Sequence, residues 1–200
     1  MIRAAYRLKV TLKRTHPPIW RRVLVPEDFT LFQLHVLIQA AMGWRDTHLH
    51  VFVERRRGHG ARSWMLPDLL EEMDRPDTDG DETTTRVRDL LREPRDGLVY
   101  VYDLGDCWVH DILLERLDRA PGDAALPICL KGRGDCPPED SGGPLVYLSP
   151  DTVDDTDDLD DEDLEELEWA AARVIPFDLA AVNRTIAAID WSDPELPPRE

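Results

Sequence analysis

Three stretches of this chain hold residue types that can bind a metal or move a proton. The first is Gly43-Trp44-Arg45-Asp46-Thr47-His48-Leu49-His50. In a strand, His48 and His50 project from one face, and two imidazoles so placed can share a metal ion. The second is Tyr102-Asp103-Leu104-Gly105-Asp106-Cys107-Trp108-Val109-His110. Here His110 shares a strand face with Trp108, Ile112 and Leu114. That predicts a buried imidazole hydrogen-bonded to Asp103 or Asp106. Gly105 gives the turn a permissive backbone, and the two aspartates can close it through their side chains. The third stretch begins with Cys129 and Cys136, a Cys-x6-Cys spacing. Two thiols need two further ligands for a closed tetrahedral site, which the histidines above could supply. Glu139 and Asp140 then stand between Pro137-Pro138 and Gly142-Gly143, two carboxylates on a rigid loop of a kind that is often functional.

Two kinds of chemistry follow. Asp103, Asp106, His110, Glu139 and Asp140 are candidate catalytic groups for a hydrolase or nuclease-like cleft. His48, His50, His110, Cys129 and Cys136 are candidate ligands for a divalent metal, and the oxygen and imidazole donors of the cleft, with His48 and His50, suit Zn, Mn or Fe. The structural alternative is a set of packed core histidines beside a surface loop that Asp140 caps. Several activities are excluded. The chain has no Gly-x-Ser-x-Gly elbow, P-loop, Rossmann fingerprint or His-Glu-x-x-His. Cys107 lies beside Asp106, and a neighbouring carboxylate raises a thiol pKa, which argues against a cysteine hydrolase.

Charge is divided along the chain. Among 200 residues, 41 are acidic and 24 basic, for a net charge of −17. Residues 1–62 hold 12 Lys and Arg against 4 Asp and Glu, whereas residues 63–200 hold 12 against 37. Such a split marks either two mutually attracting halves or an anion-binding face. For the second reading, Arg21, Arg22 and the run Arg55-Arg56-Arg57 are the candidate nucleic-acid contacts, because affinity for nucleic acid rests on neutralising phosphates. At the other extreme, 12 of the 18 residues from Asp151 to Glu168 are acidic and none is basic. That block reads as solvated, and it lacks the glycine and glutamate spacing of a calcium loop.

Apolar spacing gives the elements that must position these groups. Tyr6, Leu8, Val10 and Leu12 alternate with polar residues, as in a half-buried strand. After Pro17-Pro18, residues 20–25 form a second strand, antiparallel to the first. Thr30 caps a helix with Leu31, Leu34 and Ile38 inward, closed by Gly43. Residues 48–54 read as a third strand, residues 55–80 as irregular and residues 85–91 as a short helix. Residues 98–102 and 107–117 form a hairpin, and residues 127–143 a Gly- and Pro-rich excursion. Helical spacing returns near Asp163, and Asp178 caps a last helix. The absence of βαβ alternation predicts a single α+β domain, a mainly antiparallel sheet with helices on one side. Its expected parts are a core over 1–150, an acidic loop over 151–161, packed helices over 162–191 and a frayed tail over 192–200. No apolar run reaches the roughly 18 residues of a membrane span. Three cysteines, an odd number, favour a reducing cytoplasm over a disulfide framework.

Matching blocks also occur in a set order. They are Pro17-Pro18-Ile19-Trp20-Arg21-Arg22, Leu34-His35, Gly43-Trp44 with His48-Leu49-His50 and Phe52, then Tyr102-Asp103, Gly105-Asp106, Trp108 and His110. Cys136-Pro137-Pro138-Glu139-Asp140 with Gly142-Gly143 completes the series. Together they resemble the plasmid (Ri-type) ORF-three-like family, which includes insertion-element passenger proteins with a resolvase-type name. The resemblance implies an α+β domain and a mobile-element context, with no particular reaction. It does not imply recombinase chemistry, since no serine here has an activating setting. Ser141 stands where many relatives carry a cysteine, which weakens a purely thiolate zinc site, and Leu104 stands where many carry Phe. The resulting expectation is an accessory or interaction protein, with a protein or nucleic-acid partner. A metal-dependent hydrolase and a nucleic-acid binder are the alternatives.

Overall fold

The computed structural model describes residues 2–15, 17–55, 61–67, 80–121, 124–144 and 177–193. Eight strands form one sheet in the order β5-β4-β3-β6-β7-β1-β2-β8. They are β1 (Ile2–Leu12), β2 (Ile19–Pro26), β3 (His50–Glu54), β4 (Ser63–Met65), β5 (Gly80–Asp81), β6 (Gly97–Tyr102), β7 (Trp108–Pro121) and β8 (Ile128–Arg133). Every named pairing is antiparallel except β4 with β5. Among the described residues the helices are α1 (Leu31–Met42), α2 (Val87–Leu90) and α3 (Leu179–Ala187). The α+β expectation holds, as one domain.

The pleat decides what faces the core. Leu8, Val10 and Leu12 on β1, Val23 and Val25 on β2, and Trp108, Ile112 and Leu114 on β7 alternate inward and are buried. Helix α1 covers this face. Thr30 and Gln33 form a reciprocal capping box at its start. Gly43, at φ 88°, ends it in the left-handed conformation that favours glycine. Helix α2 abuts the α1 N-terminus, where Val87 N donates to Phe29 O. Helix α3 adds Ile186 to the same core, and its Asn183 side chain bonds both backbone groups of Cys129 on β8. Asp178 caps α3 as expected, its carboxylate accepting from Ala180 and Ala181.

Three elements differ from expectation. His48 lies ahead of β3, outside the strand. Strands β4 and β5 occupy the stretch read as irregular. The Gly- and Pro-rich excursion holds β8, which pairs with β2 at the sheet edge. The acidic loop, the helical stripe near Asp163, Arg56, Arg57 and the end of the tail lie outside the described residues.

Candidate functional site

Three loops meet at one end of the central strands: residues 43–49 after α1, residues 103–107 between β6 and β7, and residues 134–144 after β8. The third starts at the sheet edge and is tied back across the molecule in steps. Arg21 Nη1 donates to Arg133 O and Gly134 O, and Trp44 Nε1 donates to Pro137 O at 2.7 Å. Glu139 then accepts from Arg45 N, from the Arg45 guanidinium, from Thr47 Oγ1 and from the Tyr102 hydroxyl. Burial pushes the Glu139 carboxyl up, but these donors together outweigh it and hold its pKa below the ordinary value. The Tyr102 hydroxyl is pushed up, first by burial and then by its bond to Glu139. Gly142 N donates to Asp106 Oδ2. Gly143, at φ 85°, passes so close to Asp106 O that a Cβ there would lie 2.6 Å away. Glycine is therefore required at that crossing.

The latched loop sets Asp140 beside His48. His48 Nε2 lies 2.8 Å from Asp140 Oδ1 and 3.6 Å from Asp103 Oδ2. Ligand atoms of these three residues lie within 4.8 Å of one another. Asp103 also closes its turn as expected, Oδ1 accepting from Gly105 N and Asp106 N. Asp140 is exposed, so this cluster faces solvent.

A second cluster lies inside, between α1 and the sheet. His50 is fully buried, and its Nε2 contacts both oxygens of the equally buried Glu82 at 2.9 and 3.0 Å. His35, on the sheet-facing side of α1, meets the Tyr100 hydroxyl through Nδ1 at 2.7 Å. Its Nε2 lies 3.0 Å from Asp46 Oδ1. Gln39 donates to the same hydroxyl and accepts from Asp46 N, fixing Asp46 in place. The His35 and His50 rings stack with centroids 3.5 Å apart. Burial raises the Tyr100 hydroxyl pKa well above its ordinary value, so it stays a hydrogen-bonding phenol. One ligand atom each from His35, Asp46 and His50 lies within 4.8 Å of the other two.

These positions correct several expectations. His48 and His50 do not share a face or a site, because only His50 belongs to the strand. His110 is fully buried among Trp44, Tyr100 and Trp108, and neither ring nitrogen has a hydrogen bond of full geometry or a carboxylate partner. Burial pushes its pKa down to about 4, so at neutral pH it is uncharged, and it joins neither ligand cluster among the described residues. Cys129 is buried and its thiol is raised. Cys136 is pushed up to about 12 by burial and packs against Met42 Sδ and Arg21. Both thiols stay protonated at neutral pH, and neither joins a ligand cluster among the described residues. Arg21 is buried and spends its donors on backbone carbonyls, so it is no phosphate contact. Arg22 is occupied by Glu115, with bonds of 2.6 and 2.7 Å.

Residues 4–185 match the family model described as plasmid pRiA4b ORF-3-like protein. The chain belongs to this family. It is 42% identical over 151 residues to the uncharacterised protein y4hQ of Sinorhizobium fredii, covering 74% of this chain and 71% of that one. Its structure is similar to that of a protein of unknown function, MM3350, from Methanosarcina mazei, with a TM-score of 0.69 and 30% identity. That likeness covers 90% of this chain and 97% of the other. Neither name assigns an activity to this plasmid ORF-3-like protein's relatives. His35, Asp46, Glu82 and Tyr100 are not among the candidate site residues of the sequence, although His35 lies in a matching block and Asp46 in the first stretch. Only His35 left a signal in the sequence, a polar residue in phase with the buried stripe of α1.

Proposed function

We propose that this protein is a divalent-metal-binding accessory protein. His35 Nε2, His50 Nδ1 and one oxygen of Asp46 hold the ion between α1 and β3. One observation carries this reading. His50 is fully buried with Glu82 on its Nε2, and its Nδ1 has no hydrogen-bond partner. Leaving a buried polar atom unpaired costs about 1–3 kcal/mol, and a cation supplies what is missing. Two imidazoles and a carboxylate form the donor set of zinc and non-haem iron sites that keep a coordination position open. The outer partners fit too: the Glu82 carboxylate behind His50 accepts from Nε2 and so leaves Nδ1 as the lone-pair nitrogen, and the Tyr100 hydroxyl behind His35 orients that ring. Asp46 and Glu82 bring two carboxylates to the site, the charge a cation seeks. Binding requires the two stacked rings to turn so that both lone pairs face the ion.

Untagged protein purified without chelator is expected to carry about one zinc, iron or manganese ion per chain by elemental mass spectrometry. Zinc or cobalt added to stripped protein should raise Tm, because a ligand of the folded state stabilises it. Glu82→Gln keeps the packing and should weaken the metal roughly 10–100-fold, while the exposed Asp140→Ala leaves it unchanged. Affinity should fall on acidification, because coordinating imidazoles must be neutral. Stripped protein that gains no Tm from these ions ends the reading.

One observation favours hydrolysis as a second reading. The cluster of His48, Asp103 and Asp140 faces solvent, where a cation on the carboxylates would lower the pKa of a bound water. The assay is turnover of an activated phosphodiester with added manganese. Loss of turnover in Asp140→Ala at unchanged Tm supports this reading, and equal rates in both proteins remove it. We also place the protein in the cytoplasm, since Cys107, Cys129 and Cys136 are all free thiols.

A further inference from the structure

Beyond both clusters, the core-side face of β3 and β6 ends in a groove of about 560 Å³. It lies at Glu54 and Leu98, four residues along each strand from His50 and Tyr102, which is roughly 13 Å at the rise of a strand. The fully buried pair Phe52 and Tyr100 lies between the two positions along these strands. Four arginines line it, in a chain whose net charge is −17.

Glu54, Asp89 and Asp96 line the groove too, and what its bonding leaves over is two guanidinium groups with no acid partner among the described residues. Arg62 is satisfied, its fork gripping both oxygens of Glu54 at 3.1 and 3.2 Å while its guanidinium covers the Trp64 ring. Arg55 crosses the space that Gly97 leaves open and meets Asp111 at 3.4 Å. The acids near Arg92 and Arg95 are turned to the backbone. Asp96 Oδ2 accepts from Arg92 N at 2.7 Å and Glu93 N at 2.9 Å, and Asp89 Oδ2 accepts from Arg86 N. Among the described residues, neither the Arg92 nor the Arg95 side chain has an ion pair. Their loop is held rigid as well, since Arg95 N donates to Leu114 O and Leu114 N returns to Asp96 O, both at 2.9 Å.

We infer that this groove binds a phosphate group through the guanidinium groups of Arg92 and Arg95, as part of a small ligand about the size of a mononucleotide. Guanidinium forks match phosphate oxygens two at a time. A concave wall focuses their field where a flat surface would lose it to solvent. The volume is that of a small-molecule site. Leu90 and Leu98 give the body of the ligand an apolar side to lie against. A stretch of nucleic acid carries the same phosphate chemistry, and the test separates the two sources.

The measurement is calorimetric titration of the full chain with adenosine monophosphate, and separately with a short DNA duplex, at low and moderate salt. Nucleotide binding should be seen, and should weaken at least 10-fold in Arg92→Ala and in Arg95→Ala. Both side chains are exposed, so circular dichroism should show the fold intact. Arg116→Ala, an exposed arginine outside the groove, should bind as the wild type does. Binding that both groove variants leave unchanged overturns the site, as does no binding at millimolar nucleotide. Binding of the duplex alone, lost in the same variants, overturns the small ligand and gives the groove to a nucleic-acid backbone.

Discussion

Replacing Arg21 with methionine is expected to lower the unfolding free energy by about 3 kcal/mol, the scale on which buried backbone acceptors stripped of a charged donor destabilise a protein. Arg21 is only 1% exposed. Among the described residues no carboxylate pairs with it. Instead Nε donates to Ala41 O at 2.8 Å, Nη1 reaches Trp20 O, Arg133 O and Gly134 O, and the guanidinium lies 4.3 Å from the Phe177 ring. Ala41 is in the last turn of α1, where carbonyls lack helix partners and the helix dipole favours a cation. One side chain therefore ties together the end of α1, the end of β8 and the segment before α3. Methionine fills a similar volume but leaves these carbonyls dry and unpaired, at about 1–3 kcal/mol each before relaxation. Arg21→Lys should recover only part of the loss, because one ammonium cannot span the same acceptors. Urea unfolding of the three proteins decides it. A methionine variant within 1 kcal/mol of wild type would show that the carbonyls find water, and the anchor role would be lost.

The position of Arg21 also shows what the sequence holds and how it misleads. Ile19, Arg21, Val23 and Val25 have the same parity on β2, with Trp20, Arg22 and Leu24 on the opposite face. Parity alone assigns Arg21 to the apolar side. Its neighbour Arg22 makes the pair look like a basic patch, and that local look concealed the period. The same period rule succeeds at His110, which shares the buried face of Trp108, Ile112 and Leu114. It fails at His48 because the rule presumes a strand, and the backbone turns into β3 only at His50. Strand β8 was hidden differently. Ile128, Cys129 and Leu130 are apolar, but Gly132 and Gly134 beside them look like loop punctuation. Gly132 serves packing instead, since a Cβ there would come within 2.6 Å of the Phe177 ring.

The inner cluster was less legible, for a reason of distance. Thr30 to Gly43 announce α1 and its caps, so a histidine at position 35 could be placed on the buried stripe. Nothing local links it to Glu82, which follows β5, or to Tyr100 on β6. Those partners meet only because β3 stands between β4 and β6 in the sheet. Pairings of this kind depend on strand order, which short-range spacing does not encode. The outer loops lie between these cases. Pro137-Pro138 and Gly142-Gly143 marked a built loop, yet its two carboxylates have different tasks. Glu139, with its side chain 5% exposed, is the latch, and Asp140, at 71%, is the group left open to solvent.

Acid should destabilise this protein through His110 by about 3 kcal/mol between pH 6.5 and pH 4, at 1.36 kcal/mol per pKa unit. The folded imidazole is pushed down to about 4 by burial, although the Trp108 and Tyr100 backbone groups and the distant Arg21 charge also act on it. In the unfolded chain the ordinary value is 6.5. Within that window the unfolded state takes up a proton that the folded state refuses, so stability falls as pH falls. Above pH 6.5 both forms are neutral and the contribution is full. Below pH 4 both are charged and the loss is complete. His110→Leu removes the group with little change of volume, at a cost of under about 1.5 kcal/mol near pH 7.5, as such core swaps usually show. Its unfolding free energy should then decline less steeply than wild type on acidification, and the two curves should converge or cross near pH 4. The other histidines are common to both proteins, so the difference between the curves isolates His110. Parallel curves would mean that the imidazole titrates normally and that solvent reaches it inside the Trp44, Tyr100 and Trp108 cage.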